Sequence, residues 1–431
     1  MKNVFASLCL SLLLLGCNGQ GDKDVAFTTN PKDYTSFLQA DPIKSYAAAL
    51  EEKEFWSKRL GSDSTGVGDL GPLAGAYSKL FETSGDIQYL KDAEQVYKKA
   101  ITVAAIKIQD GYKRALAKNY ITQHRFKDAI TLLEESYAGI SNKHATELLL
   151  FDCYLEVGAY SKALQFLKKI ENINQFDYLI RISKWSDHQG DLSAAIRYMQ
   201  KALAIANSRK NLALQIWTNT NIADYYGHQG AIKASYNHYL KTLALQPDNA
   251  YAKKGIAWIL YSKEYNTAQA LELIDHLLAN HNLPDYYLLK AEMASYQGDS
   301  VLSEEYMQQF FTLANNPLYG DMYNTHKIMA LVKTDPYKAL QLALKEVDNR
   351  TTPQSYQLLA LAQLASNLKQ EALATITNFV AGKTSEPMAL LHSAQVYKAN
   401  GMLDKVTALK TALLPASYEL GPEVFKQVTA L

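Results

Sequence analysis

A pattern of the form Gly-x-Tyr-x-x-Ala-Leu keeps returning along this chain, and it limits the possible folds more than any other feature. Its small residue falls at Ala93, Ala129, Ala163, Ala195, Ser235, Ala270, Ser303, Ala339, Ala372 and Val406, at intervals of 32 to 40 residues. A segment of that length cannot bury an apolar face alone, so regular recurrence predicts one supersecondary unit stacked on copies of itself. The third copy, "ELLLFDCYLEVGAYSKALQFLKKI", shows what each column does. Gly158 sits between two helices and permits a tight turn. Tyr154, Tyr160 and Leu167 fill the space between the helices at the three- and four-residue spacing of an amphipathic face. Ala163 is small because two helix backbones pass close there. Pro247, Pro284 and Pro387 stand at junctions where a helix begins.

This spacing resembles the tetratricopeptide repeat, over about residues 70 to 415. The resemblance implies an all-α solenoid, a right-handed superhelix of about ten helix-turn-helix units. Residues 34–69, including "AAALEEKEFWSKRL", are expected as a helical lead-in, and residues 416–431 as a terminal cap over the last unit. "GSDSTGVGDLGP" from Gly61 to Pro72 lacks the Lys-Ser/Thr ending of a phosphate-cradling loop and is expected to be a surface connection.

The first residues read as an address. "MKNVFASLCLSLLLLGC" has Lys2, an apolar run too short to cross a bilayer, a small residue and Cys17, the layout of a secretory signal. Its end, Leu14-Leu15-Gly16-Cys17, resembles the bacterial lipobox. That resemblance implies removal of residues 1–16, acylation of the Cys17 thiol and membrane attachment through lipid, with residues 17–33 as a flexible tether. Asn18 stands where the lipoproteins it resembles carry Asp for inner-membrane retention. The outer membrane is therefore the expected location, facing periplasm or cell surface.

Candidate chemistry is sparse. Forty-four basic residues balance 43 acidic ones, with no like-charge run, which disfavours nucleic acid as a partner. Cys153 is the one cysteine in the body of the chain, so no disulfide framework is expected, and it is expected to be a buried thiol. The triplet His-Gln-Gly occurs twice, at His188 and His228, each seven residues before a small-column residue. The two histidines therefore occupy one column, at the end of a first helix. Units about 10 Å apart would hold them too far apart for shared metal ligation, so no metal and no cofactor are expected. No HExxH or GxSxG pattern is present, and catalysis is not implied.

Stacked helix pairs curve so that first helices line a concave face. The inward column reads Lys118, Asp152, Lys184 and Asp224, continuing to Trp258 with Tyr261 and then Glu292. A large aromatic flanked by charge is the composition of an interaction hot spot, which singles out Lys184, Asp224, His228, Trp258 and Tyr261 as a partner-binding groove. The expected function is a protein–protein adaptor or scaffold of the bacterial envelope, binding envelope proteins or peptides. The alternative is a glycan-binding lipoprotein similar to the starch-binding group, although the intervals leave little room for the insertions that group carries.

Overall fold

The computed structural model describes residues 28–38, 44–60, 66–140 and 142–431. Cys17, the signal segment and most of the expected tether lie outside the described residues. Within them every regular element is helical, and ten antiparallel helix pairs follow one another. Unit 1 pairs Val67–Ser84 with Ile87–Val103, unit 5 pairs Leu212–His228 with Ile232–Leu245, and unit 10 pairs Pro387–Ala399 with Leu403–Leu413. A helix at Lys44–Arg59 packs on the first helix of unit 1. The glycine-rich stretch expected as a connection is partly helix: Gly66 caps a helix that begins at Val67 and runs through Pro72. Pro72 stands inside that helix and has no N–H to give the Gly68 carbonyl four residues back.

The small-residue column is the contact between paired helices. Ala93, Ala129, Ala163, Ala195, Ser235, Ala270, Ala339 and Ala372 are fully buried, and Val406 nearly so. Ser303, half-buried, donates to the carbonyl of Ala291 on the facing helix at 2.8 Å, a separation only a small side chain permits. The turn column is equally uniform. Gly158, Gly190, Gly230, Gly298 and Gly401 have φ between +71° and +84°, and where glycine is missing His124, Tyr265 and Asn367 take the same left-handed conformation at +56° to +61°.

Contacts far apart in sequence show how tightly the superhelix winds. The last carbonyls of a helix have no partner within it, and here donors about six units later supply one. The Asn282 amide donates to the Ser84 carbonyl at 3.1 Å. Asn349 Nδ2 donates to the His124 carbonyl at 3.2 Å, and Thr351 Oγ1 to that of Val157 at 2.9 Å. Arg350 reaches both the carbonyl and the carboxylate of Glu156. Gly158 is pressed so close to this second layer that a Cβ would lie 2.3 Å from the Thr351 carbonyl oxygen. One superhelical turn thus takes about 200 residues, and the second turn sits directly on the first.

The N-terminal strap is held rather than free. The amides of Thr28 and Thr29 both donate to the Glu264 carboxylate at 2.6 Å, and Thr29 Oγ1 adds a bond at 2.7 Å. Tyr34 is buried against units 5 and 6, and the Ser45 amide and hydroxyl both donate to Asp248. Residues 28–33, assigned to a flexible tether by composition, are therefore fixed by side chains more than 200 residues away. Polar composition alone could not reveal that partner.

Candidate functional site

First helices do line the concave face, and the bore they enclose falls into three stretches. In units 1 to 4 a cavity of about 590 Å³ is bounded by Tyr97, Arg114, Lys118, Asn119, Asp177 and Arg181 among others. Arg181 is neutralised there by Asp152 at 2.6 Å and donates to two main-chain carbonyls. Lys118 and Asp177 are exposed and form no ion pair among the described residues. In units 7 to 10 a second cavity, about 770 Å³, is apolar on much of its wall, with Leu288, Met307, Phe311, Met329, Leu361 and Met388.

Between them the bore is filled. The C-terminal helix, Ser417–Thr429, covers the last unit through Leu420 and Val428, which pack on Leu391 and Leu413. Its other side crosses the bore to the first helices of units 5, 6 and 7. The Tyr418 carbonyl accepts from Trp258 Nε1 at 3.2 Å and from the Ser262 hydroxyl. Glu423 accepts from Ser295 Oγ at 2.7 Å. The helix kinks at Gly421, whose φ of 74° and ψ of 160° suit glycine alone. A Cβ there would meet both Glu292 Oε1 and Trp258 Cη2 at 2.8 Å, so backbone and groove are in direct contact.

The five residues expected to form a partner groove divide accordingly. Tyr261 is fully buried and donates to Glu292 Oε1 at 3.1 Å, with the Trp258 ring edge-on to it at 5.7 Å. Trp258 is half-buried under the Tyr418–Gly421 segment. Neither is open to a partner while that segment is in place, which corrects the expectation of an exposed anchor. Asp224 is likewise satisfied internally by the hydroxyls of Tyr239 and Tyr251. Burial pushes its carboxyl above the ordinary range despite those two bonds. Lys184 belongs elsewhere: it pairs with Glu156 at 2.8 Å, and Glu156 also holds Arg350 at 2.8 Å. Burial alone would raise the Glu156 carboxyl, but Lys184 and Arg350 outweigh it and hold the group below its usual value. His228 is exposed at the end of its helix, with Asp187, Glu386 and Glu419 as charged neighbours, and burial raises the carboxyls of all three.

The His-Gln-Gly histidines end the first helices of units 4 and 5, each two residues before a left-handed glycine, as their shared column requires. The His188 ring lies 4.3 Å from the Tyr160 ring of the preceding unit, a packing role. Among the described residues no three His, Cys, Asp or Glu side chains gather in a way that could hold a metal ion. Cys153 is fully buried, and burial drives its thiol pKa far up, the opposite of what a nucleophile needs. The most perturbed carboxyl in the bore is Glu292, raised to about 7, first by burial and further by Glu423, with the Tyr261 hydrogen bond opposing. Sequence reasoning missed Tyr418, Gly421, Glu423 and Arg350. The one available signal was the Gly421-Pro422 pair, which interrupts an otherwise helical tail.

Residues 120–180 match the tetratricopeptide repeat family profile. Among solved structures the chain is similar to a tetratricopeptide repeat protein from Parabacteroides merdae, at 14% identity over 63% of this chain and 94% of that one, with a TM-score of 0.39. It is also similar to yeast Tom70, at 14% identity over 90% and 95% of the two chains, with a TM-score of 0.40. A third is human IFIT1, solved as a dimer with PPP-AAAA, at 13% identity over 90% and 100%, with a TM-score of 0.44. No curated protein sequence matches.

Proposed function

We propose that this tetratricopeptide-repeat chain is a protein-binding scaffold of the bacterial envelope, carried on the outer membrane by lipid on Cys17, and that its partner enters the open stretch of bore in units 1 to 4. The observation that carries the reading is the contrast along the bore. Where the chain fills its own groove, aromatic and carboxylate groups are paired internally. In the first four units Lys118 and Asp177 face the cavity of about 590 Å³ without an ionic partner. Side chains of both signs beside the apolar walls of Phe81, Leu90 and Leu149 suit an extended or helical protein segment with mixed charge. The envelope address comes from the lipobox-like Leu14-Leu15-Gly16-Cys17.

A photo-crosslinking residue placed at Lys118 in the cell should capture a protein partner, while the same residue at Lys201, on a second helix, should not. Capture at Lys201 alone would move the site to the convex face. Fatty-acid labelling lost in Cys17→Ser tests the anchor separately.

A further inference from the structure

The stacking of two superhelical turns leaves two free rims. The helix–helix turns of units 1 to 4 are pressed onto loops of later units, but those of units 6 to 10 have no layer beyond them. A Cβ on Gly298 or Gly401 would meet nothing within 4 Å. Four of these five turns present one large exposed apolar side chain at or beside the turn: Tyr265 at 51% exposure, Val301 at 69%, Tyr337 at 73% and Leu403 at 64%. Lys263, Lys333, Lys338, Lys369 and Lys405 stand exposed among them and form no ion pair among the described residues. Glu371 and Asp404 stand exposed beside them, so the rim carries both signs of charge. Asp299 and Asp335 accept the main-chain N–H groups of Leu302 and Lys338 as helix caps, and Glu264 is taken up by the strap. Apolar tips ringed by exposed charged side chains, lysines among them, form the pattern of a surface that settles into a lipid headgroup layer.

The same rim is where the N-terminal segment leaves the body. Thr28 is fixed on Glu264, in the turn of unit 6, and Lys233 Nζ holds its carbonyl at 3.1 Å. Eleven residue steps join Cys17 to Thr28, which span at most about 40 Å even when fully extended. Helices of 13 to 17 residues are about 20 to 25 Å long, so two stacked layers stand about 45 Å tall. The opposite rim, with Ile106, Ile140, Ile173 and Leu212 exposed, is therefore out of reach of a bilayer that holds Cys17, unless the body lies on its side.

We propose that the free rim carrying Tyr265, Val301, Tyr337 and Leu403 rests on a phospholipid bilayer surface and sets the superhelix upright on the membrane. The proposal rests on the reading of Cys17 as the lipid anchor. Acylated protein loaded on vesicles of phosphatidylethanolamine and phosphatidylglycerol is compared with Cys17→Ser chain in solution by amide hydrogen exchange. Exchange should slow at least threefold over residues 297–304, 333–340 and 400–406 and stay unchanged over 104–110 and 171–176. The triple variant Val301→Ser, Tyr337→Ser, Leu403→Ser, still acylated and with an unchanged melting temperature, should lose that protection. Protection absent from this rim, present on the opposite rim, or retained in the triple variant overturns the proposal. Intact mass reads the anchor independently. Should Cys17 carry no acyl chain, its thiol is coupled to a maleimide headgroup lipid in a Cys9→Ser background, Cys153 being buried, and the same exchange pattern decides the orientation.

Discussion

Gly158 and Gly230 hold the same column of the same repeat with nearly the same backbone, φ +78° and +80°, yet one is clamped by a second layer of protein and the other is open. The difference runs through the whole molecule. Units 1 to 4 have their turns covered and their bore open, while the later units have free turns and a bore crossed by the C-terminal helix. Local sequence makes the units alike. Their different roles come from what the superhelix lays against each one.

The sharpest way to break this comparison is to put the same methyl on both glycines. Gly158→Ala combines left-handed strain with a Cβ 2.3 Å from a main-chain oxygen and should lower stability by about 3 kcal/mol or more. Gly230→Ala carries the strain alone and should cost about 1 to 2 kcal/mol. Denaturant unfolding of both variants measures the gap. Equal losses would mean that the two layers do not bear on each other in solution.

The filled bore is probed at Trp258. Trp258→Ala removes the ring that packs on Gly421 and the donor to the Tyr418 carbonyl, and should cost about 2 to 3 kcal/mol, since the side chain is only half-buried. Limited proteolysis should then cut within residues 417–429 first. Lys118→Ala, in the open stretch, should leave both stability and the cleavage pattern unchanged. A tail that stays protected in Trp258→Ala would show that contacts with unit 10 alone hold it.

A pH dependence is expected at the same contact. The Glu292 carboxyl is raised from 4.5 to about 7 in the folded chain, so between those values the native state holds a proton that the unfolded state has released. Stability then falls as pH rises through this window and levels off above about 7. Hydrogen exchange of residues 417–429 should accelerate from pH 5 to pH 7.5 beyond the intrinsic change, and Glu292→Gln should flatten that excess. An undiminished excess in Glu292→Gln would assign it to Asp187, Glu386 and Glu419, which surround His228 beside the first turn of the same helix.

Much of the fold was legible because it is periodic. A small residue every 34 or so positions, a turn glycine five residues ahead of it and aromatic residues at helical spacing each have a local physical cause, so ten copies reinforce one reading. The groove residues were legible as a column but not as a site. Trp258 and Tyr261 do lie together on the concave side with Asp224, as the register requires, yet the tail that covers them lies about 160 residues later. Lys184 occupies the same column and is drawn instead to Glu156, which also binds Arg350. Thr28 and Thr29 read as tether because their partner, Glu264, is more remote still.

Helix, left-handed turn, helix and the close backbone contact at the alanine column are all written in the local pattern of one unit. Those depend on steric limits and apolar spacing within about 34 residues, which any single copy displays. Packing of the whole chain sets how far the superhelix winds before it meets itself, which helix ends receive donors from the next layer, which stretch of bore stays open and where the N-terminal strap leaves the body. Small rotations from unit to unit add up over six units to fix those contacts, and no local pattern encodes the sum.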